Sequence, residues 1–175
     1  MLRFILILVG VVVLAFLAYV ATRPNDFRIE RSQTIKAPPE VVFALINDLH
    51  HFNSWNPFAL VDPSLKIVYT GQESGTGAAY EWEGTGKAGK GRMEIAESVS
   101  PSRVSMRLEF MKPFAAKNIA EFTITPVGAS SQVTWAMIGH NAYLQKVMAT
   151  LFNMDRMVGG QFAAGLSTLK GLAER

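Results

Sequence analysis

A glycine-rich segment carries the motifs of this 175-residue chain that most resemble a site for chemistry. Gly84, Gly86 and Gly89 satisfy the dinucleotide pattern G-x-G-x-x-G, and with Lys90 the segment also matches the G-x-x-x-x-G-K of phosphate-binding loops. Both motifs hold phosphate with N-H groups at the start of a following helix. Here Gly91 stands where Ser or Thr is required, and the next residues alternate as in a strand. The segment therefore predicts a hairpin turn, and we expect no cofactor.

The histidines and cysteines offer no reactive or metal-binding pattern. His50 and His51 are adjacent and His140 ends a predicted strand, so no H-E-x-x-H or similar ligand spacing exists. The chain has no cysteine, which excludes disulfides and thiol chemistry, and the nucleophile motif G-x-S-x-G is absent. We therefore predict no bound metal and no nucleophilic triad.

A few polar side chains remain as candidates for proton transfer or for orienting a bound molecule. Glu81 and Glu83 share one face of a predicted strand, but Tyr80 lies on the opposite, apolar face, so both carboxylates are predicted to point outward. Asp155 lies near the start of the last helix, where the helix dipole favours a capping role. The polar groups that we expect near the cavity are Tyr80, Tyr143, Asp155 and Arg156. None has a convincing acid-base partner, so we predict no catalytic residue.

Hydrophobic periodicity predicts the elements that position these residues. Residues 27–35 alternate as a strand, and Pro38 and Pro39 open a helix, since proline suits the first helical turn. That helix is predicted to end near Asp48, and residues 52–58 read as an aromatic-rich turn.

The rest of the chain alternates with period two and then returns to helical spacing. Glycine, proline and serine separate six further strands, as hairpins require. These strands are residues 66–70, 78–83, 91–98, 103–110, 118–125 and 132–139. Residues 143–174 predict a C-terminal helix, with a kink or a close approach to another backbone at Gly159 and Gly160.

Alternation also sorts the side chains of each strand into an apolar inner face and a polar outer face. The inner residues, with Trp55 and part of the last helix, are the ligand-cavity candidates: Trp55, Tyr80, Trp82, Met93, Met106, Leu108, Phe110, Phe122, Trp135, Met137, Phe162 and Leu166. Methionines are frequent among and around them, and their flexible side chains tolerate varied apolar ligands. A solid core and a cavity are both compatible with this pattern.

The N-terminus carries 18 uncharged, almost wholly apolar residues, 4–21. As a helix they span roughly 27 Å, close to the ~30 Å apolar core of a bilayer. A cleaved signal would have a shorter run and small residues before the cleavage site, where Tyr19 stands, and a buried core helix is the third reading. We predict a single-pass anchor at 1–22, a linker at 23–26 and a domain at 27–175. Positive residues after the run favour a cytoplasmic domain, but a short basic N-terminus is also typical of a translocated one, so the side stays open.

Size and charge narrow the class of the domain. A chain of about 150 residues buries roughly two-thirds of its unfolded surface, enough for a core that encloses a cavity. The net charge is only +3 at neutral pH, too weak a balance to indicate a nucleic-acid partner.

Several short motifs, taken in order, resemble the SRPBCC superfamily, and within it the polyketide cyclase/dehydrase-like group related to START lipid-transfer domains. They occupy residues 35–43, 55–57, 80–84, 89–91, 133–135 and 165–170. The resemblance implies an α+β helix-grip fold, in which a curved seven-stranded antiparallel sheet wraps around a long C-terminal helix. The apolar N-terminal run is an addition to this domain. The family includes lipid carriers, hormone binders and aromatase/cyclases, so the fold does not settle the chemistry.

Three functions are compatible with the sequence. The first is a membrane-anchored domain that binds a hydrophobic small molecule or lipid between its sheet and C-terminal helix. The second is a polyketide cyclase or dehydrase, which needs a proton-transfer group within reach of the reacting carbon. The third is a protein-interaction module at the membrane, which a filled core would favour. Because no acid-base pair is evident, we predict binding without catalysis, with residues 4–21 contacting the membrane.

Overall fold

The computed structural model describes residues 1–85 and 88–175; Gly86 and Lys87, on which the predicted hairpin turn falls, lie outside the described residues. The helices are α1 (Leu2–Ala21), α2 (Pro39–Asn47), α3 (Leu49–Trp55), α4 (Pro57–Leu60), α5 (Tyr143–Leu151) and α6 (Met154–Ala173). The strands are β1 (Asp26–Ile35), β2 (Lys66–Gly71), β3 (Ala78–Glu83), β4 (Lys90–Val99), β5 (Arg103–Lys112), β6 (Ala116–Val127) and β7 (Ser130–His140).

The seven strands form one antiparallel sheet in the order β1-β7-β6-β5-β4-β3-β2. Consecutive strands from β2 to β7 are neighbours, while β1 pairs with the last strand. Helix α6 packs on the concave side, against β1, β7 and the short helices. The predicted helix-grip fold and its seven strands are therefore confirmed.

The register defines two ends of the sheet. Asp26 pairs with His140 and Lys90 with Lys112, which places the start of β1 beside the connections β3–β4, β5–β6 and β7–α5. We call this the near end, because α1 enters the sheet there. The turns β2–β3, β4–β5 and β6–β7 lie at the opposite, far end.

The segment between α2 and β2 is helical, so the turn predicted for residues 52–58 is wrong. The Asp48 carboxylate accepts a hydrogen bond from the His50 N-H at 2.8 Å and so caps α3. The Asn56 side chain accepts one from the Phe58 N-H at 3.2 Å and caps α4. These caps satisfy N-H groups that a helix start leaves unpaired, and they divide the aromatic segment into two short helices.

The predicted single C-terminal helix is two helices, broken at Asn153 rather than kinked at Gly159 and Gly160. The Asn153 side chain accepts a hydrogen bond from the Arg156 N-H at 3.0 Å, so it begins a new helix. Gly159 does mark a close approach, but to a side chain. A Cβ there would lie 2.2 Å from the Arg31 guanidinium.

Within the described residues, α1 is the one helix that is long and apolar enough to cross a membrane. Signal sequences near an N-terminus satisfy the same criteria. Nearly all side chains of α1 are exposed, whereas Val20, close to its end, is buried.

Candidate functional site

A cavity of about 1380 Å³ lies between the inner face of the sheet and the helices α4, α5 and α6. Pockets for small molecules are commonly about 300–1,000 Å³, so this space is larger than most of them. The sheet contributes a wall that is largely aromatic and apolar: Tyr80, Trp82, Met93, Leu108, Phe110, Trp135 and Met137. Phe162 of α6 closes the opposite side.

These eight residues are two-thirds of the ligand-cavity candidates read from the sequence. The other four are fully or almost fully buried and belong to the packed part of the core: Trp55, Met106, Phe122 and Leu166. Sequence periodicity thus identified inward-facing residues, but it did not separate those that line the space from those that fill it.

Other cavity residues did not emerge from the sequence. They come from β1, from the segment around α4, from β6 and from α5: Phe27, Ile29, Asn56, Phe58, Asn118, Leu144, Met148 and Leu151. Period-two alternation puts Phe27 and Ile29 on one face of β1, and that signal identifies them. The contribution of α5 follows from the helix break at Asn153, which no spacing of apolar residues indicated.

An aromatic cluster separates the cavity from the packed part of the core. The Trp135 ring stacks on Phe162 with centroids 4.3 Å apart and lies 4.9 Å from Phe122. Trp55 meets Trp135 edge to face at 5.7 Å, and its indole N-H donates to the Leu45 carbonyl at 3.0 Å. Such arrangements stabilise aromatic pairs beyond the area they bury.

The near-end wall of the cavity is built around Trp82. Its indole N-H donates to the Ala88 carbonyl at 3.0 Å, and its ring meets Phe110 edge to face at 5.7 Å. Gly91 faces the ring from the next strand, where a Cβ would lie 2.3 Å from it. The absence of a side chain at Gly91 therefore lets the indole lie flat against the sheet.

A series of hydrogen-bonded polar side chains leads from Tyr69 on β2 to the cavity. The Asn53 amide donates to the Tyr69 hydroxyl at 3.2 Å, and the Asn56 amide donates to the Asn53 side-chain oxygen at 3.3 Å. Asn56 also interacts with the hydroxyl of Tyr80, and both residues line the cavity. Burial raises the pKa of Tyr80 strongly, the nearby Tyr69 raises it further, and the hydrogen bond with Asn56 opposes them. The hydroxyl is therefore neutral at physiological pH.

The indole N-H of Trp135 is an unused donor that is buried and does not open onto the cavity. Its side chain is almost completely buried, and none of the described residues accepts a hydrogen bond from its indole N-H. A buried donor without a partner typically costs about 1–3 kcal/mol.

The polar residues proposed for the cavity lie in different places. The Asp155 carboxylate borders the cavity and accepts hydrogen bonds from Arg31 at 2.9 and 3.2 Å. The hydrogen bond from Arg31 lowers the pKa of Asp155 below its ordinary value. Tyr143 is half exposed and donates to the Leu17 carbonyl at 2.8 Å, and Arg156 is exposed. Asp155 lies in the first turn of α6, but Asn153 provides the side-chain cap.

Comparison with known proteins assigns this architecture to a family. Residues 26–174 match the family model described as polyketide cyclase / dehydrase and lipid transport. Among solved structures, protein CV1439 from Chromobacterium violaceum is 18% identical and has a TM-score of 0.59, covering 87% of this chain and 99% of that one. Ara h 8.0201 is 13% identical with a TM-score of 0.55, and the coverages are 85% and 97%.

A third similar structure is the Aha1 dimer from Colwellia psychrerythraea, at 13% identity and a TM-score of 0.59. It covers 85% of this chain and 96% of that one. At such identities the likeness shows the fold alone. No curated protein matches the chain. The resemblance to the SRPBCC superfamily is confirmed.

Proposed function

This chain belongs to the polyketide cyclase/dehydrase and lipid transport family, and we propose that it binds a lipid or similar hydrophobic molecule while tethered to a membrane. The cavity between the sheet and α6 carries the proposal. Its volume of about 1380 Å³ exceeds what a small polar metabolite needs, and its walls are aromatic and apolar. Transfer of an apolar chain from water into such a space is favourable by roughly 25 cal/mol per Å² buried.

The polar groups of the cavity favour a ligand with a neutral polar end. Asn56 and the neutral Tyr80 hydroxyl both line the cavity, and each can donate and accept hydrogen bonds. These groups lie beside the aromatic cluster, toward the inner part of the cavity. We infer that a carbonyl, hydroxyl or quinone oxygen of the ligand hydrogen-bonds with Asn56 or Tyr80 and that the apolar remainder extends toward the entrance.

The pKa values of Tyr80 and Asp155 favour binding over cyclase or dehydrase chemistry. A general acid or base works best with a pKa near the operating pH. The pKa of Tyr80 is raised far above neutral by burial, and the pKa of Asp155 is lowered by its hydrogen bond with Arg31. Neither group is therefore poised for proton transfer near pH 7.

The proposed membrane tether is helix α1. From Phe4 onward its side chains are apolar on every face, and nearly all of them are exposed, whereas a core helix would bury one face. We propose that α1 spans the bilayer once and remains attached to the mature protein.

Native mass spectrometry of the full-length protein, extracted from its host membranes in mild detergent, tests the ligand. We expect a co-purifying apolar species that organic solvent releases. Met137→Trp should lower its occupancy because the larger side chain extends into the cavity, whereas Ile138→Trp, on the outer face of the same strand, should not. A protein that carries no such species and takes up no fluorescent fatty acid would contradict binding and favour the interaction module.

Carbonate washing of membranes tests the tether separately. Full-length protein should remain in the pellet, since high pH and salt weaken ionic contacts but do not extract a spanning helix. N-terminal sequencing should find residues 1–21 still present. Release into the wash, or a mature N-terminus after Ala21, would contradict the tether.

A further inference from the structure

We propose that the mouth of the cavity faces the bilayer that α1 crosses, and that the apolar rim around this mouth lies on the membrane surface. The proposal rests on the tether proposed above and adds an orientation, a contact surface and a route for the ligand. Three independent features support it: the contacts of α5 with α1, the end of the sheet at which the mouth opens, and the residues of the rim.

Helix α5 is bound to the end of α1. The Tyr143 hydroxyl donates to the Leu17 carbonyl at 2.8 Å. The buried Lys146 ammonium donates to the carbonyls of Arg23 at 2.8 Å and Ala21 at 3.3 Å. Leu17 lies four residues before Ala21, about 6 Å deeper along the helix axis. If α1 spans the bilayer, α5 therefore lies at the membrane interface.

The mouth opens at the same end of the sheet. The Asn141 N-H donates to the Asn25 carbonyl at 2.8 Å, so the chain that leaves α1 is held against the connection from β7 to α5. The register places the β5–β6 connection at this near end as well, and Phe114 within that connection lines the cavity. Only residues 22–25 separate α1 from β1, which leaves little freedom for the sheet to turn its near end away.

The rim around the mouth consists of large apolar side chains that are 44–69% exposed: Met111, Phe114, Leu144, Met148, Leu151 and Phe152. Four of them also line the cavity, so the apolar surface is continuous from its interior to the outside. A large exposed apolar patch is costly in water and marks an interaction site. Insertion into the headgroup and acyl boundary of a bilayer removes that cost.

The polar residues of this region are those of a membrane interface. The Arg23 guanidinium lies over the Tyr19 ring, 4.7 Å from its centroid, and also donates to the Tyr19 hydroxyl. Tyrosines concentrate at the level of the lipid headgroups, and cations there are attracted to anionic lipids. Exposed Lys112 lies two residues before Phe114, at the end of β5, whereas Lys117 on the other side of the connection pairs with Glu109 at 3.1 Å. This combination of aromatic, cationic and apolar residues favours an anionic bilayer over a protein partner.

This orientation gives a ligand a direct route from the bilayer into the cavity. A membrane-resident amphiphile can pass from the bilayer along the apolar rim into the cavity without crossing water. The ligand class is then narrowed to molecules that reside in the same membrane.

The orientation can be tested by depth-dependent fluorescence on the full-length protein in phosphatidylcholine/phosphatidylserine vesicles. The chain has no cysteine, so single cysteines can be labelled with an environment-sensitive nitrobenzoxadiazole probe. Phe152→Cys places the probe at the rim, and Val127→Cys is its matched control, because these residues are 51% and 53% exposed. Val127 ends β6 at the far end, about 36 Å along the strand from Ala116.

We expect a blue-shifted emission for the probe at Phe152→Cys and several-fold stronger quenching by lipids that carry a spin label on the acyl chain. The probe at Val127→Cys should resemble one in water. Met111→Cys, on a different near-end element, should repeat the rim result and replaces Phe152→Cys if that variant does not fold.

Equal quenching at the two ends, in protein that stays in the vesicles and retains its ligand, would overturn the orientation and leave the proposed function intact. Protein that leaves the vesicles would overturn the tether and the orientation together. An empty cavity combined with strong rim quenching would support the orientation and contradict only the ligand.

Discussion

The space beneath the sheet has two halves with the same kinds of residue and opposite packing. In the packed half, Trp55 meets Phe122 edge to face at 6.0 Å, and both residues, like Leu166, have no accessible surface. In the hollow half, Tyr80, Trp82, Met93, Leu108, Phe110 and Met137 line a cavity. Both sets are large, apolar and inward-facing, so composition does not account for the difference.

The helices that lie opposite the sheet account for this difference in packing. Helices α2 and α3 lie over one half of the sheet and pack against α6, and their side chains fill the space beneath them. Helix α5 has a similar length to α2, but it packs against α1 through Tyr143 and Lys146. The cavity therefore lies where a helix packs on α1 and not on the sheet. We expect the two halves to respond differently to the same kind of substitution.

The largest expected difference in stability is between the same Leu→Ala substitution made in each of the two halves. Leu166→Ala in the packed half should lower the free energy of unfolding by about 4 kcal/mol, because it leaves a void in a closed environment. Leu108→Ala should cost about 2 kcal/mol, since part of that side chain already faces empty space. Denaturant unfolding followed by tryptophan fluorescence measures both. Equal losses would show that the two halves are packed alike.

Enlarging a methionine side chain should also cost more stability in the packed half than in the hollow half. Met106→Trp, within the packed half, should cost about 1–3 kcal/mol through overpacking. Met137→Trp should cost clearly less, because the cavity accepts the added volume. The midpoint of thermal unfolding compares the variants, both prepared without ligand. A larger loss for Met137→Trp would mean that the cavity wall is rigid.

Replacing each of two tryptophans of the aromatic cluster by phenylalanine should distinguish an indole N-H that donates a hydrogen bond from one that has no acceptor. Trp55→Phe breaks the hydrogen bond to the Leu45 carbonyl, whereas Trp135→Phe removes an N-H with no acceptor among the described residues. Because the lost volume is the same, we expect Trp55→Phe to be the more destabilising by about 1 kcal/mol. Denaturant unfolding of the ligand-free protein measures both losses. If Trp135→Phe proved the more destabilising in ligand-free protein, its indole would have a structural role.

The smallest expected effect on stability concerns the ion pair between Arg31 and Asp155, which borders the hollow half. The pKa of Asp155 is lowered below 3.8 by the hydrogen bond from Arg31, so the folded state favours the ionised carboxylate. Its stabilising contribution is therefore present above pH 3.8 and is lost as the pH falls through the lowered pKa. Asp155→Asn should slightly lower the unfolding midpoint at neutral pH, and the difference from wild type should vanish in acid. A difference that is independent of pH would exclude the ion pair as its cause.

The sequence by itself determined the elements of the domain and the faces of its strands. Period-two alternation identifies every strand, because the two faces of a sheet that covers a core differ in polarity. It also determined α1, since 18 consecutive apolar residues form a helix about as long as the apolar core of a bilayer is thick. The caps at Asp48 and Asn56 were present in the sequence, but the aromatic residues around them resembled a turn.

Only the tertiary structure decided which inward residues line a cavity. Met106 and Met137 have the same chemistry and both face inward, yet one is packed and the other borders empty space, because that depends on which helix lies opposite. The same holds for Trp135, whose unused N-H is defined by the absence of an acceptor among its described neighbours. Periodicity reports the direction of a side chain, whereas a cavity depends on the positions of segments far apart in the chain, such as α1 and α5.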